Sequence, residues 1–324
     1  MTTSLPKVEL HCHLEGTIPP DLVNRLAERN NMTVPDSLFN GNGSFAWRTF
    51  EEFLMAFDLA SSCIRTIQDY RDVTYEYLSS CAKDGAIYVE MFSSPDHAAE
   101  TGLSYMDHLE GIAEGIDDAE RDHGIIGRII VTCVRHLGGE RGVAVARQVV
   151  SQPHPYVVGF GMGGNESFGT FKDYVPAFNL AAEAGLHCTV HAGEVNGAGS
   201  VRQAIDNLPI TRIGHGVRAI EDSTLVNELV DRQITLEVCP GSNLALGVYG
   251  SVEQHPLRQL IDGGCRVTLG SDDPPFFNTS IGQEYQRAHD DFGLNLDQLS
   301  AITIAGIDAA FADDEIKARL RARL

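Results

Sequence analysis

Cationic side chains are scarce in this sequence. Its 324 residues carry 24 Lys and Arg against 45 Asp and Glu, a formal net charge of −21. Such an excess of negative charge disfavours nucleic-acid phosphates and anionic membranes as partners. Long apolar runs are missing too. The most apolar stretch, residues 125–134, is broken by Gly127 and Arg128 and is too short to span a bilayer. Met1-Thr2-Thr3-Ser4 leads into Leu5-Pro6-Lys7 with no basic segment and no apolar core, so no signal peptide is expected. The seven cysteines are odd in number and scattered, and no CxxC pair exists. A disulfide framework and a thiolate zinc site are therefore not expected, and a reducing cytoplasm is. Linkers, low-complexity segments and internal repeats are absent as well, so residues 1–324 are expected to form a single domain. Nothing in the sequence fixes an oligomeric state.

What is present is an alternation. Hydrophobic residues make up 43% of the chain, enough for a large core. Short β-branched or apolar runs predict eight strands, at residues 8–11, 86–92, 128–134, 157–161, 187–191, 212–215, 234–239 and 266–271. Helical patterns lie between them, for example at 105–122, 174–185, 222–233 and 256–263. Gly185 and Gly263 stand where helices end, and Asp222 and Ser223 where one begins. Near-continuous apolar strands separated by helices predict an α/β fold, a closed (β/α)8 TIM barrel. The span from Thr17 to Gly85 predicts a helical insertion after strand one, able to lie over the mouth. Segments 281–290, 297–311 and 314–324 predict extra C-terminal helices.

The chemistry-bearing residues gather at predicted strand ends. His11 and His13 stand at i and i+2 on one strand, so both imidazoles share a face. Two buried polar rings need partners, and a divalent metal is a strong one. His191 ends strand five and is followed by Glu194. Asp272 and Asp273 end strand eight, where adjacent like charges are costly to bury unless a cation compensates. Three histidines and one aspartate suit Zn²⁺ with a position left for water, whose pKa zinc lowers to roughly 7. His215, between Gly214 and Gly216, is placed to orient that water. An open doubly wound sheet would not bring the ends of strands one, five, six and eight to one rim. His97, His108, His123, His154, His255 and His289 lie in polar or helical contexts and are expected to be ordinary core or surface residues. A zinc site of the cytidine-deaminase type would need a PCxxC motif, which Cys239-Pro240-Gly241-Ser242 does not supply.

Leu5-Pro6-Lys7-Val8-Glu9-Leu10-His11-Cys12-His13-Leu14-Glu15-Gly16, His191-Ala192-Gly193-Glu194, Arg212-Ile213-Gly214-His215-Gly216, Cys239-Pro240-Gly241-Ser242-Asn243 and Ser271-Asp272-Asp273-Pro274 resemble, in order, the motifs of the adenosine deaminase family. The resemblance implies a zinc-dependent aminohydrolase. It implies His11, His13, His191 and Asp272 as ligands of one Zn²⁺, whose hydroxide attacks C6 of a 6-aminopurine. It implies Glu194 as the acid that protonates purine N1, with Asp273 receiving the water proton and His215 orienting the nucleophile. Substrate contacts fall to His13, Glu15, Gly164 and Asp273, with the Gly164 N–H on purine N3. Strand four has no lysine of the kind that bridges two metals in the wider amidohydrolase superfamily, which implies one metal.

Two signals bear on the substrate. Many adenosine deaminases carry aspartate at the place of Glu15, whereas glutamate occurs there in adenine deaminases and in relatives acting on 6-aminodeoxyfutalosine. Met91-Phe92-Ser93-Ser94-Pro95 also lacks an arginine that many members carry. The segment Gly161-Met162-Gly163-Gly164-Asn165-Glu166 instead resembles the nucleoside-acting branch. Weighting that segment, the expectation is deamination of adenosine and 2′-deoxyadenosine to inosine and 2′-deoxyinosine, with adenine or another 6-aminopurine nucleoside such as 6-aminodeoxyfutalosine as the alternative.

Overall fold

The structure, a computed structural model, describes residues 2–324. Its eight strands are β1 (Lys7–His13), β2 (Ala86–Ser93), β3 (Ile126–Val134), β4 (Val157–Gly163), β5 (His187–Ala192), β6 (Arg212–His215), β7 (Thr235–Val238) and β8 (Arg266–Leu269). They pair in sequence order, each parallel to the next. A parallel bridge between Cys12 and Asp272 joins the last strand to the first. The result is the expected (β/α)8 barrel. The strands are almost wholly buried, as expected of a sheet covered by helices, and β2 is buried at every residue.

The boundaries differ in instructive ways. β1 runs two residues beyond the expected end at His11, because the His13 N–H donates to the Asp272 carbonyl at 2.9 Å and the Asp272 N–H to the His11 carbonyl at 3.1 Å. Barrel closure thus falls on the same residues that carry the candidate ligands. β8 stops at Leu269 rather than 271, because the Ser271 N–H turns to the buried Glu9 carboxylate at 2.8 Å. β7 loses both Ile234 and Cys239 from the expected strand. Asp222 caps helix Ser223–Asp231 as expected, accepting from the N–H groups of Thr224 and Leu225. At the end of helix Leu257–Asp262 it is Gly264, with φ +86°, that takes the left-handed conformation, not Gly263.

The insertion after β1 holds helices Pro20–Arg29, Phe50–Ser61 and Ile67–Lys83. The third packs on the outside against helix Tyr105–His123, where Gly111 and Gly115 permit close approach: a Cβ at Gly111 would sit 2.4 Å from the Ile67 carbonyl. The rest of the insertion is pinned to the segment following β8. Phe45 stacks on Phe276 at 3.9 Å, Phe53 lies 5.0 Å from Phe277, and Trp47 Nε1 donates to the Phe276 carbonyl.

The C-terminal helices are Ile281–Asp290, Leu296–Ala309 and Asp314–Arg321. Phe311, which follows the second, shares a buried cluster with Phe92 and Ile130 from the strands. The Arg212 guanidinium lies 3.6 Å from the Phe311 ring centroid and pairs with Glu90 and Glu237, each at 2.6 Å. These three charges are buried, and pairing is what permits it.

Candidate active site

Each candidate ligand is aimed by its backbone and steadied from behind. His11 Nδ1 lies 2.8 Å from Glu237 Oε2, and His191 Nδ1 lies 3.0 Å from the Met162 carbonyl. A carbonyl can only accept, so His191 donates from Nδ1 and turns an unprotonated Nε2 inward. Asp272 Oδ2 accepts from Ser242 Oγ at 2.6 Å, while Oδ1 stands 3.3 Å from His13 Nε2 and 3.6 Å from His11 Nε2. His13 and His191 bring their Nε2 atoms within 3.0 Å of each other. Asp272 and His215 hold φ values of +64° and +60°, strained for residues with a side chain. Strain of this kind costs about 1–3 kcal/mol and gathers at functional sites.

The four groups fit a divalent cation. One donor atom from each of His11, His13, His191 and Asp272 lies within 4.8 Å of all the others. His11 Nε2 is buried with no hydrogen-bond partner. Burial pulls the His11 imidazole down, but Asp272 and Glu237 outweigh it and raise it to about 9, so the place favours positive charge. Burial opposes ionisation of Asp272 as well, yet the His11 and His13 rings beside it hold its carboxyl well below the usual range. Imidazoles and one carboxylate are the donor set of zinc sites.

The other expected residues line the same pocket. It is walled by Phe50, Phe53, Leu54, Phe57 and Phe92, and floored by His13, His191, His215, Glu194, Asp272 and Asp273. Glu15, Gly163 and Gly164 also face it. Burial, with Asp272 and Glu166 close by, pushes the Glu194 carboxyl well above the ordinary glutamate range. Burial also pushes Asp273 upward, with Asp272, Glu194 and Glu15 adding to the effect. Its Oδ1 has no hydrogen-bond partner. His215 is brought down to about 3 by burial and is therefore neutral. Its Nδ1 lies 3.3 Å from Asn243 Nδ2, an amide donor, which leaves the ring proton on Nε2, 3.7 Å from Glu194 Oε2. Gly164 adopts φ +93°, open to glycine and strained for other residues. Glu15 Oε1 accepts from Ser93 Oγ at 2.6 Å and from the Ser94 N–H at 3.3 Å, and Ser93 is held in turn by His108 Nε2 at 2.7 Å.

Sequence reasoning missed a supporting layer. Ser242 and Asn243 belong to a quoted motif, yet their bonds to Asp272 and His215 appear only in three dimensions. His255, expected to be ordinary, is buried and holds Asn243 Oδ1 at 3.2 Å. His97 lines the pocket rather than a neutral surface. Glu237 and Arg212 had a legible signal: charged residues inside otherwise apolar strands must be partnered.

The adenosine deaminase profile matches residues 6–324. The chain belongs to the adenosine deaminase family. It is 48% identical to a protein of Rhizobium rhizogenes named adenine deaminase, over the whole length of both chains. It is likewise 48% identical to an adenine deaminase of Mesorhizobium japonicum, over 98% of each. Among solved structures it is similar to an adenine deaminase from Arthrobacter aurescens, with a TM-score of 0.91, 28% identity and 98% of both chains covered. It is also similar to a zinc-bound amidohydrolase from Burkholderia ambifaria, with a TM-score of 0.90, 27% identity, and 99% of this chain and 90% of that one covered. Family membership makes it a hydrolytic deaminase of the metal-dependent amidohydrolase kind. These full-length homologues are named for adenine, which favours the alternative expectation, adenine, over adenosine. The strand-four segment has a structural task in this chain. Its Glu166 binds the loop that carries Glu194, a task indifferent to whether the purine bears a sugar.

Proposed function

We propose that this protein hydrolyses adenine to hypoxanthine and ammonia, with His11, His13, His191 and Asp272 holding one Zn²⁺. When bound, zinc supplies the Lewis acidity that makes water a nucleophile at neutral pH. The arrangement that supports deamination is a proton donor and a proton acceptor lining the same phenylalanine-walled pocket as that cluster.

Glu194 is the donor. A carboxyl group must remain protonated to give a hydrogen to purine N1, and burial beside Asp272 and Glu166 favours that form. Protonation at N1 draws electrons from C6, where water adds. Asp273 is raised in the same direction as Glu194, so its role needs the cation: a divalent ion held at the neighbouring Asp272 would keep its carboxyl ionised, and its buried, unpartnered Oδ1 then accepts the water proton and returns it to the amino group that leaves. His215, neutral and directed by Asn243, gives a hydrogen bond from Nε2 to the oxygen at C6, and the second water proton leaves that oxygen to restore Glu194 as ammonia departs. His13 and Glu15 border the purine on the side of β1 and β2, and the Gly164 N–H serves purine N3.

The preference for the base rests on the relatives named adenine deaminase, 44–48% identical over nearly the whole chain. The character of Glu15 agrees with it. The test of the mechanism is Glu194→Gln, assayed by loss of the adenine absorbance and by ammonia release. Turnover should fall about 10²–10⁴-fold, to a measurable residual rate, while one zinc per chain is retained, because an amide cannot supply an acidic proton. A variant that keeps the parent rate would refute the assignment.

A further inference from the structure

The segment after β5 that carries Glu194 has little of its own to fix it. Residues 193–196 form bends, and helix Ala198–Asn207 begins only afterwards, with no side-chain cap. Yet four consecutive backbone N–H groups there converge on one acceptor. Those of Gly193, Glu194, Val195 and Asn196 reach the Glu166 carboxylate at 2.7, 3.0, 2.7 and 2.9 Å. Ser200 Oγ adds a fifth donor at 2.8 Å, and Asn196 Nδ2 binds the Glu166 carbonyl at 2.8 Å. Glu166 is only 4% exposed and comes from a different loop, the one following β4.

An ordinary turn does not need this. A local Asp, Asn or Ser would satisfy its N–H groups without burying a second carboxylate beside Glu194. A buried charge is tolerated when every lone pair is used, and here five donors use them. Convergent successive N–H groups form an anion nest, and the nest fixes the Cα of Glu194 and so the origin of its side chain. Gly193 sharpens the constraint: its φ is +70°, and a Cβ there would lie 2.3 Å from Val201 Cγ2. Arg218 holds two of the segment's carbonyls, those of Gly193 and Val195, at 3.0 and 2.7 Å, but all four N–H groups go to Glu166.

We infer that Glu166 is a positioning residue for the deamination, a clamp that sets the reach of Glu194 toward the substrate. This rests on the reading of Glu194 as the N1 acid. Glu166 touches no reacting atom and acts through Glu194. Glutamine keeps its shape but replaces one acceptor oxygen with an NH₂ group that faces backbone donors. Glu166→Gln should therefore lower kcat about 10²-fold, the scale of an ångström-sized misplacement. KM should stay within threefold and zinc content should not change. In a Glu194→Gln background the same change should alter the residual rate less than twofold, because the group it positions is already gone.

Glu166→Gln with kcat within twofold of the parent overturns the clamp, and so does a loss that multiplies in full onto that of Glu194→Gln. An active Glu194→Gln variant overturns the acid reading itself, whereas an inactive one beside an unimpaired Glu166→Gln overturns the clamp alone. Should Glu166→Gln fail to fold, Asn196→Ala carries the test by removing only the bond to the Glu166 carbonyl. Lower kcat at unchanged KM supports the clamp, and parent kcat overturns it.

Discussion

Gly16→Ala should separate activity from stability at a single carbon atom. An ideal Cβ on Gly16 would stand 1.7 Å from Asp273 Oδ1, 2.6 Å from its Cγ and 2.9 Å from Phe57 Cε2. Ordinary contact begins near 3.4 Å, so the oxygen must retreat by about 1.7 Å. The backbone does not object, because Gly16 is not among the residues with positive φ. The carboxylate yields readily, since Oδ1 has no hydrogen bond to break. The cost in stability is about that of an off-rotamer side chain, ~0.5–1.5 kcal/mol. The cost in rate is larger: displacing a reacting group by about 1 Å loses on the order of 10²-fold. We expect kcat for adenine to fall by at least that factor, with zinc content unchanged and the urea midpoint nearly so. Continuous absorbance assays and metal analysis on the same preparation read both. An alanine variant within threefold of the parent kcat would refute the role of Asp273 as the proton acceptor.

Two further outcomes follow from buried carboxylates. Glu237 holds His11 at 2.8 Å and Arg212 at 2.6 Å, so Glu237→Gln should weaken zinc binding about 10–100-fold, read by competition with a chelator. Unchanged affinity would show that His11 needs no such support. Glu284, which accepts from the Gly241 N–H and from Thr279, is raised from 4.5 to about 7 by burial against those two bonds. A raised folded-state pKa favours the protonated form, so this contribution is complete below about pH 4.5 and is lost as pH rises through about 7. The swing is roughly 3 kcal/mol at ~1.4 kcal/mol per pKa unit. Urea unfolding at pH 5 and pH 8 should show the parent losing stability relative to Glu284→Gln, and a gap independent of pH would contradict the assignment.

The barrel was legible because its strands are short apolar runs with helical periods between them, and every expected strand exists. The candidate site was legible because His11, His13, His191, His215 and Asp272 all end such runs. Which partners hold them was not. Glu237 is a mid-strand residue whose partners, His11 and Arg212, lie on other strands, and only ring closure makes them neighbours. Phe311 looks like the end of a terminal helix, and nothing local says that it seats against Arg212 at the barrel strands. Glu166 sits in a glycine-rich turn whose partners lie 27–34 residues later, so its five bonds leave no periodic trace. The two substrate signals diverged for the same reason. The strand-four segment serves loop geometry through Glu166, whereas Glu15, tied to Ser93 and Ser94 at the pocket wall, is the signal that agrees with the relatives' names.

The central claim is that this pocket deaminates the free base. The decisive measurement is kcat/KM of the zinc-loaded protein for adenine and for adenosine, taken side by side as loss of 6-aminopurine absorbance. Adenine should lead by at least about 10²-fold, well inside the roughly 10⁴–10⁵-fold reached when a competing ligand leaves a site's buried polar group unpaired. Equal values, or a lead for adenosine, would contradict the account.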